Sequence, residues 1–207
     1  MAKQIEGVYE KILECATEEF LEKGFKDASL RVIAAKANTS TNSIYVRFKD
    51  KEGLFQTIVE PAANQMMKMF LEIQEEFHNL DDEIQEETMV RYSLDGMDKI
   101  LNYIYDNFSA FRLLLDASYG TKYQNFVDRL TEIEVEYTYK YMKVIGCESV
   151  VSGVITEEFL HIITMAYFDS LFEVVRHNMK KEDAVRYVKM LGNYHHAGFS
   201  TIFSMKR

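Results

Sequence analysis

A single proline and nine glycines in 207 residues leave this chain short of the punctuation that strands and tight hairpins need. Its apolar residues recur instead at three- and four-residue spacing, which predicts an all-α protein. Two cysteines, Cys15 and Cys147, are too few and too scattered for a disulfide framework or a zinc site. Cys15 lies beside Ala16 in an apolar stretch and reads as a small core residue rather than a reactive thiol. That usage predicts a reducing cytoplasm. No apolar run approaches the roughly 18–20 residues of a membrane span. The opening MAKQIEGVYEK is charged and amphipathic, unlike a signal peptide.

Motifs of catalysis are missing as well. There is no Gly-rich phosphate loop, no Gly-x-Ser-x-Gly elbow and no Cys-x-x-Cys. His161, His177, His195 and His196 do not form His-Glu-x-x-His, and the adjacent pair points to different faces of a helix. They read as structural or surface histidines. The expectation is a protein that is not an enzyme and has no metal or cofactor.

With 47% hydrophobic residues the chain can bury a substantial core, and disorder is not expected. The net charge of −9 is unevenly spread. From Lys23 to Lys51 seven basic residues face two acidic ones, so this window is +5 and the remainder −14. A basic head on an acidic body suits a protein that touches phosphate at one end. A chance cluster on a solvated face remains open on charge alone.

The first fifty residues are the most specific. Ile5, Val8, Ile12, Ala16 and Phe20 form one helical stripe, widened by Tyr9, Leu13 and Cys15. Gly24 falls where a residue of positive φ should end this helix, and Phe25 can fold back on its last turn. Ser29 is placed to cap a second helix over Leu30–Ala37, with Ile33, Ala34 and Ala37 inward. Asn38 suits a left-handed turn, and Ser40 or Thr39 then caps a third helix. That helix turns Ile44 and Phe48 inward. Thr41, Asn42, Ser43, Tyr45 and Arg47 face outward, a short polar surface broken only by Val46. Such a helix fits the major groove of DNA, although any exposed amphipathic helix has a similar pattern. Asp50 caps a fourth helix. Lys51 therefore sits in its first turn, where the helix dipole disfavours a cation unless a phosphate is held there.

These residues resemble the N-terminal domain of the TetR family of transcriptional regulators. The pattern matches at Ile12-Leu13, Ala16, Phe20, Gly24-Phe25, Ser29, Ile33-Ala34, Ala37, Ser40, Ile44-Tyr45, Phe48, Lys51-Glu52 and Leu54. It covers some 45 residues, about a fifth of the chain. The resemblance implies that Thr39, Ser40, Thr41, Asn42, Ser43, Tyr45 and Arg47 meet double-stranded DNA, with Ser29, Arg31 and Lys51 on its backbone. Tyr45 could also be a helix-packing ring, but it lies off the Ile44/Phe48 stripe. Ala28, Asn38, Asn42 and Arg47 depart from the family's usual threonine, glycine, glycine and aromatic or histidine. The operator sequence therefore stays open, and Arg47 could add a phosphate contact or read a guanine.

A helix from Lys51 towards Phe77 is expected to kink or break at Val59–Pro61. That bend is either a hinge for reorienting the head or a static feature. Further helices are expected near 85–106, 108–118, 122–145, 156–178 and 181–204. The resemblance divides the chain into a helix-turn-helix domain, 1–50, and a helical ligand-binding and dimerisation domain, 51–207. Aromatic and methionine residues of the body, with Met66, Phe70, Tyr103, Phe111, Tyr137 and Tyr141 as candidates, could line a pocket for an apolar or aromatic small molecule. Most such residues simply pack a core. Beyond residue 51 there are twenty-five acidic and fifteen basic side chains, which leans away from anionic ligands. The last two helices carry apolar stripes with small residues at Gly192, Ala197 and Gly198. A single chain could bury these stripes internally. The resemblance implies a homodimer, with Phe168, Phe172, Tyr187, Leu191, Tyr194 and Gly198 at its interface and a palindromic operator. The expected function is a ligand-responsive transcriptional repressor. The alternatives are a DNA binder governed by a protein partner, and a helical small-molecule carrier without specific DNA binding.

Overall fold

The computed structural model describes residues 2–147, 149 and 153–203, with side chains from Gly7 onward. The position of Ile5 on the first stripe lies outside the described side chains. Among the described residues there is no strand. The helices are α1 (Ala2–Asp27), α2 (Leu30–Lys36), α3 (Thr41–Phe48), α4 (Lys51–His78), α5 (Asp82–Asp106), α6 (Phe108–Arg112), α7 (Phe126–Val144), α8 (Glu157–Arg176) and α9 (Lys181–Phe203). A π-helical turn, Leu113–Ala117, follows α6. The chain forms two compact units. The first runs to Gln65 and adds Asn107–Phe126; the second takes Met66–Asp106 and everything from Val127 on.

The first unit is built on the stripe of α1. Ile12, Ala16 and Phe20 are fully buried, and Ile33, Ile44, Leu54 and Phe55 complete the core. Phe55 meets Phe20 edge-on at 5.1 Å and Phe25 at 5.4 Å between centroids. Each fully buried ring of this kind stabilises by about 1.5–3 kcal/mol. Gly24 interrupts the helical path with φ 72° and ψ 165°, a conformation that a side chain resists. This break lets Phe25 turn back onto Phe20, at 6.0 Å.

The second helix is capped differently from the expectation. Ser29 has the extended backbone of an N-cap, but its side chain makes no capping bond. Its own N–H donates to Glu19 Oε1 at 3.2 Å, and Lys36 Nζ lies 3.6 Å from Glu19 Oε2. A buried carboxylate on α1 thus anchors both ends of α2. Ser40 and Asp50 cap as expected, accepting the N–H groups of Ser43 at 3.1 Å and Gly53 at 2.7 Å. Gly53 is obligatory: a Cβ there would lie 2.0 Å from the Phe48 carbonyl oxygen.

Pro61 does not break α4, which continues from Lys51 to His78 as one helix. Residues 107–126 join the first unit through Phe111, Leu113, Leu114 and Ala117, all buried. There Tyr123 donates its hydroxyl to Glu60 Oε1 at 3.0 Å.

In the second unit α5, α8 and α9 pack together with the end of α4 and with α7. Small residues set the close approaches. A Cβ on Gly96 would meet the Ile73 side chain at 2.9 Å, and one on Gly192 would meet Leu94 at 3.1 Å. Val135, Met142, Cys147, Ile155, Leu160 and Phe199 form a core cluster at one end of α7. Cys15 and Cys147 are both buried and free.

Candidate functional sites

The head presents its third helix as a shallow polar ridge. Ile44 and Phe48 are buried, and Tyr9 stacks on Phe48 at 5.4 Å. With that stripe fixed, Asn42 and Tyr45 project outward, and Tyr45 is 50% exposed. Thr41 and Thr39 are half-buried, Ser40 is exposed but engaged as the cap, and Arg31 is exposed on α2. Val46, noted in the sequence only as an exception to the polar face, is 75% exposed. Asn38 holds φ 50° in the turn before α3, and Lys49 holds φ 69° after it.

Besides the capping Ser40, three of the DNA candidates, Ser43, Arg47 and Lys51, have side chains engaged within the chain. Arg47 folds back on its own helix, donating from Nη1 to the Ser43 carbonyl at 3.1 Å and to the Ser43 hydroxyl. Lys51 does not stand free at the N-terminus of α4. Its Nζ donates to the carbonyls of Lys26 at 2.8 Å and Ala28 at 3.1 Å, and lies 4.9 Å from the Phe25 ring centroid. The electrostatic cost of a cation in a first turn is offset by two carbonyls at the end of α1.

A sequence profile of bacterial regulatory proteins of the tetR family matches residues 12–58, the span from α1 into α4. The uncharacterised HTH-type transcriptional regulator YvdT of Bacillus subtilis (strain 168) is 43% identical over 60 residues. That alignment spans 29% of this chain and 31% of YvdT, so the likeness covers about a third of the relative's length. The head, residues 12–58, is similar to the DNA-binding end of tetR-family regulators. Solved structures of TetR-type regulators extend the likeness of fold over nearly the whole length. The transcriptional regulator (TerR/AcrR family) of Aquifex aeolicus VF5 superposes with a TM-score of 0.54 at 20% identity, over 94% of this chain and 99% of that one. A TetR-like transcriptional regulator from Rhodococcus sp. RHA1 gives 0.55 at 18%, over 92% and 96%.

The second unit holds a cavity of about 150 Å³. Phe70, Phe77, Tyr92, Tyr137, Tyr141 and Phe168 supply aromatic wall. Of the six sequence candidates, Phe70, Tyr137 and Tyr141 line it. Met66 is buried away from it, Tyr103 lies off the wall, and Phe111 belongs to the core of the first unit, 6.2 Å from Phe126. Sequence reasoning missed the polar groups of the wall. Gln74 Nε2 donates to Glu134 Oε2 at 2.6 Å. Burial pushes the Glu134 carboxyl up to about 7, partly opposed by that bond. His195 stacks on Tyr167 at 4.1 Å, and burial, helped by His196, lowers its imidazole to about 4. Tyr167 is raised by burial and by the Glu134 charge.

The dimer candidates divide by burial. Phe168 and Phe172 are core residues of this chain, at 2% and 1% exposure, and Tyr187 donates its hydroxyl to the Ser170 carbonyl at 2.9 Å. Leu191 is half-buried, whereas Tyr194 and Gly198 are exposed. The exposed apolar surface of these helices also includes Ile162 on α8 and Met190 on α9. Of the small residues, Gly192 serves contact within the chain, against Leu94.

Proposed function

We propose that this protein is a ligand-responsive transcriptional regulator, a repressor that leaves a palindromic operator when a small molecule fills the second unit. The observation that carries the reading is the ridge of α3, with Ile44 and Phe48 sunk in the core and Tyr45, Asn42 and Thr41 displayed beside them. Short polar groups reach base edges and phosphates from such a ridge, and Val46 is placed for a thymine methyl. On DNA, Arg47 exchanges its bond to Ser43 for a phosphate or a guanine. Residues 1–50 act as the DNA-binding domain and 51–207 as the ligand-binding and dimerisation domain of a cytoplasmic homodimer. Two heads of that dimer meet half-sites about 34–36 Å apart, or a multiple of that distance. Stripes through Ile162 and Ala166 on α8, and Met190, Tyr194 and Ala197 on α9, supply the contact between copies.

The cavity favours a small-molecule effector over a protein partner, because a regulator driven only by a partner needs no opening in its body. Moving the operator-competent population from 99% to 1% requires about 5.5 kcal/mol of preferential ligand binding. Selection of sites from a random DNA pool, followed by affinity across salt, tests the reading. A tightly bound palindrome with a steep salt slope that Tyr45→Ala weakens is the expected result. Failure to enrich any site at modest salt overturns it.

A further inference from the structure

The cavity of the second unit holds an acid without a base. Glu134 receives one hydrogen bond, from Gln74, and no lysine or arginine is among the described residues of the wall. Of the three histidines there, His78 and His195 are otherwise engaged. His78, on α4, has its Nδ1 2.9 Å from the Gln74 carbonyl and its Nε2 3.1 Å from that of Tyr137. His195, on α9, lies flat against Tyr167 of α8, and its half-buried imidazole stays neutral at physiological pH, with His196 beside it on the same helix. The remaining titratable groups of the wall are the phenols of Tyr92 on α5 and Tyr137 and Tyr141 on α7. Lys140, which is not part of the wall and pairs with Glu136 at 2.7 Å, covers one face of Tyr137 at 3.7 Å and leaves Tyr92 and Tyr141 as the faces open to a ligand. A half-buried carboxylate against an aromatic wall that holds no lysine or arginine is costly to ionise, and a ligand that brings the cation offsets that cost.

The aromatic wall is itself suited to a cation. Phe77 stands 5.4 Å from Tyr92 and 5.8 Å from Tyr141, so three rings cluster on one side. Ring faces attract ammonium groups, and most strongly where water is excluded. Space limits the size, since a cavity of about 150 Å³ is comparable to one that accepts benzene.

We propose that this cavity binds a small lipophilic organic cation, an arylalkyl ammonium, with Glu134 as its counter-charge and the tyrosine faces as its cage. The proposal rests on the ligand-responsive reading above and gives that site a ligand class. Fatty acids and other carboxylates are excluded by the same group that attracts the cation.

The test uses the full chain without DNA, by calorimetric titration with three probes at about pH 8, where Glu134 is ionised. These are benzyltrimethylammonium, its uncharged carbon isostere neopentylbenzene, and 3-phenylpropionate. The cation is expected to bind most tightly. Glu134→Gln is expected to weaken it about tenfold or more while leaving neopentylbenzene within about twofold. A second measurement needs no variant: in the wild type the cation loses affinity as pH falls from about 8 to 5.5, because the carboxylate takes up its proton. The proposal is overturned if either other probe binds wild type as well as the cation, if none of the three binds, or if affinity for the cation ignores both the substitution and pH. Such a failure leaves operator binding untouched, and a failed DNA selection leaves these titrations interpretable.

Discussion

Lys51 Nζ donates to the Lys26 carbonyl at 2.8 Å, tying the first turn of α4 to the end of α1. The neighbouring Ala28 carbonyl accepts the same amine at 3.1 Å. The lysine is therefore a brace of the head before it is anything else. Lys51→Ala is expected to cost about 1–2 kcal/mol in urea unfolding, the scale of charge-assisted bonds in a half-buried setting. Tyr45→Ala, at an exposed ring, is expected to stay within about 0.5 kcal/mol of wild type. If both variants unfold alike, the brace is not holding.

Gly53 sits under a second constraint of the same corner. A methyl group there would press to 2.0 Å from the Phe48 carbonyl oxygen, which is backbone and cannot swing aside. Gly53→Ala is expected to destabilise the head by about 3 kcal/mol or more, because relieving the clash shifts α3 against α4. An unchanged Tm would mean that the turn after α3 is softer than its packing implies.

The surface of the last two helices allows a test of assembly. Ile162→Glu with Met190→Glu places charges on exposed apolar positions, so the folded monomer is expected to keep its helicity while sedimentation shifts from dimer to monomer. Phe172→Ala instead opens a cavity in the core and should cost about 3–5 kcal/mol. Dimers that persist in the double variant place the contact elsewhere on the chain.

How much of this was legible in the sequence depends on the kind of regularity involved. The period of α1 and the inward pair Ile44 and Phe48 follow from helical geometry, so the head could be read before it was seen. Positive φ at Gly24 and Asn38 followed from turn chemistry. The end point of a long side chain has no such rule, which is why neither the Lys51 brace nor the capping role of Glu19 is legible in the sequence. Phe168 and Phe172 lie on a stripe whose period is the same whether the neighbour belongs to this chain or another. Phe111 was assigned to a ligand pocket for its residue type, yet tertiary packing carries its segment into the unit of the head.

Glu134 and His195 leave opposing marks on stability against pH. The Glu134 carboxyl rises from 4.5 to about 7 on folding, so between those values the folded chain holds the extra proton. Stability from this group is full below about pH 4.5 and falls as pH rises through 7. The His195 imidazole falls from 6.5 to about 4, so the unfolded chain holds the extra proton between those values. Its contribution is full above 6.5 and is lost as pH falls towards 4. The two slopes oppose each other between 4.5 and 6.5 and flatten the profile there. Glu134→Gln should expose a Tm that climbs with pH across that window, and His195→Phe, which retains a ring against Tyr167, should expose one that declines. Parallel profiles in the two variants would show that neither group is as enclosed by the cavity as its position indicates.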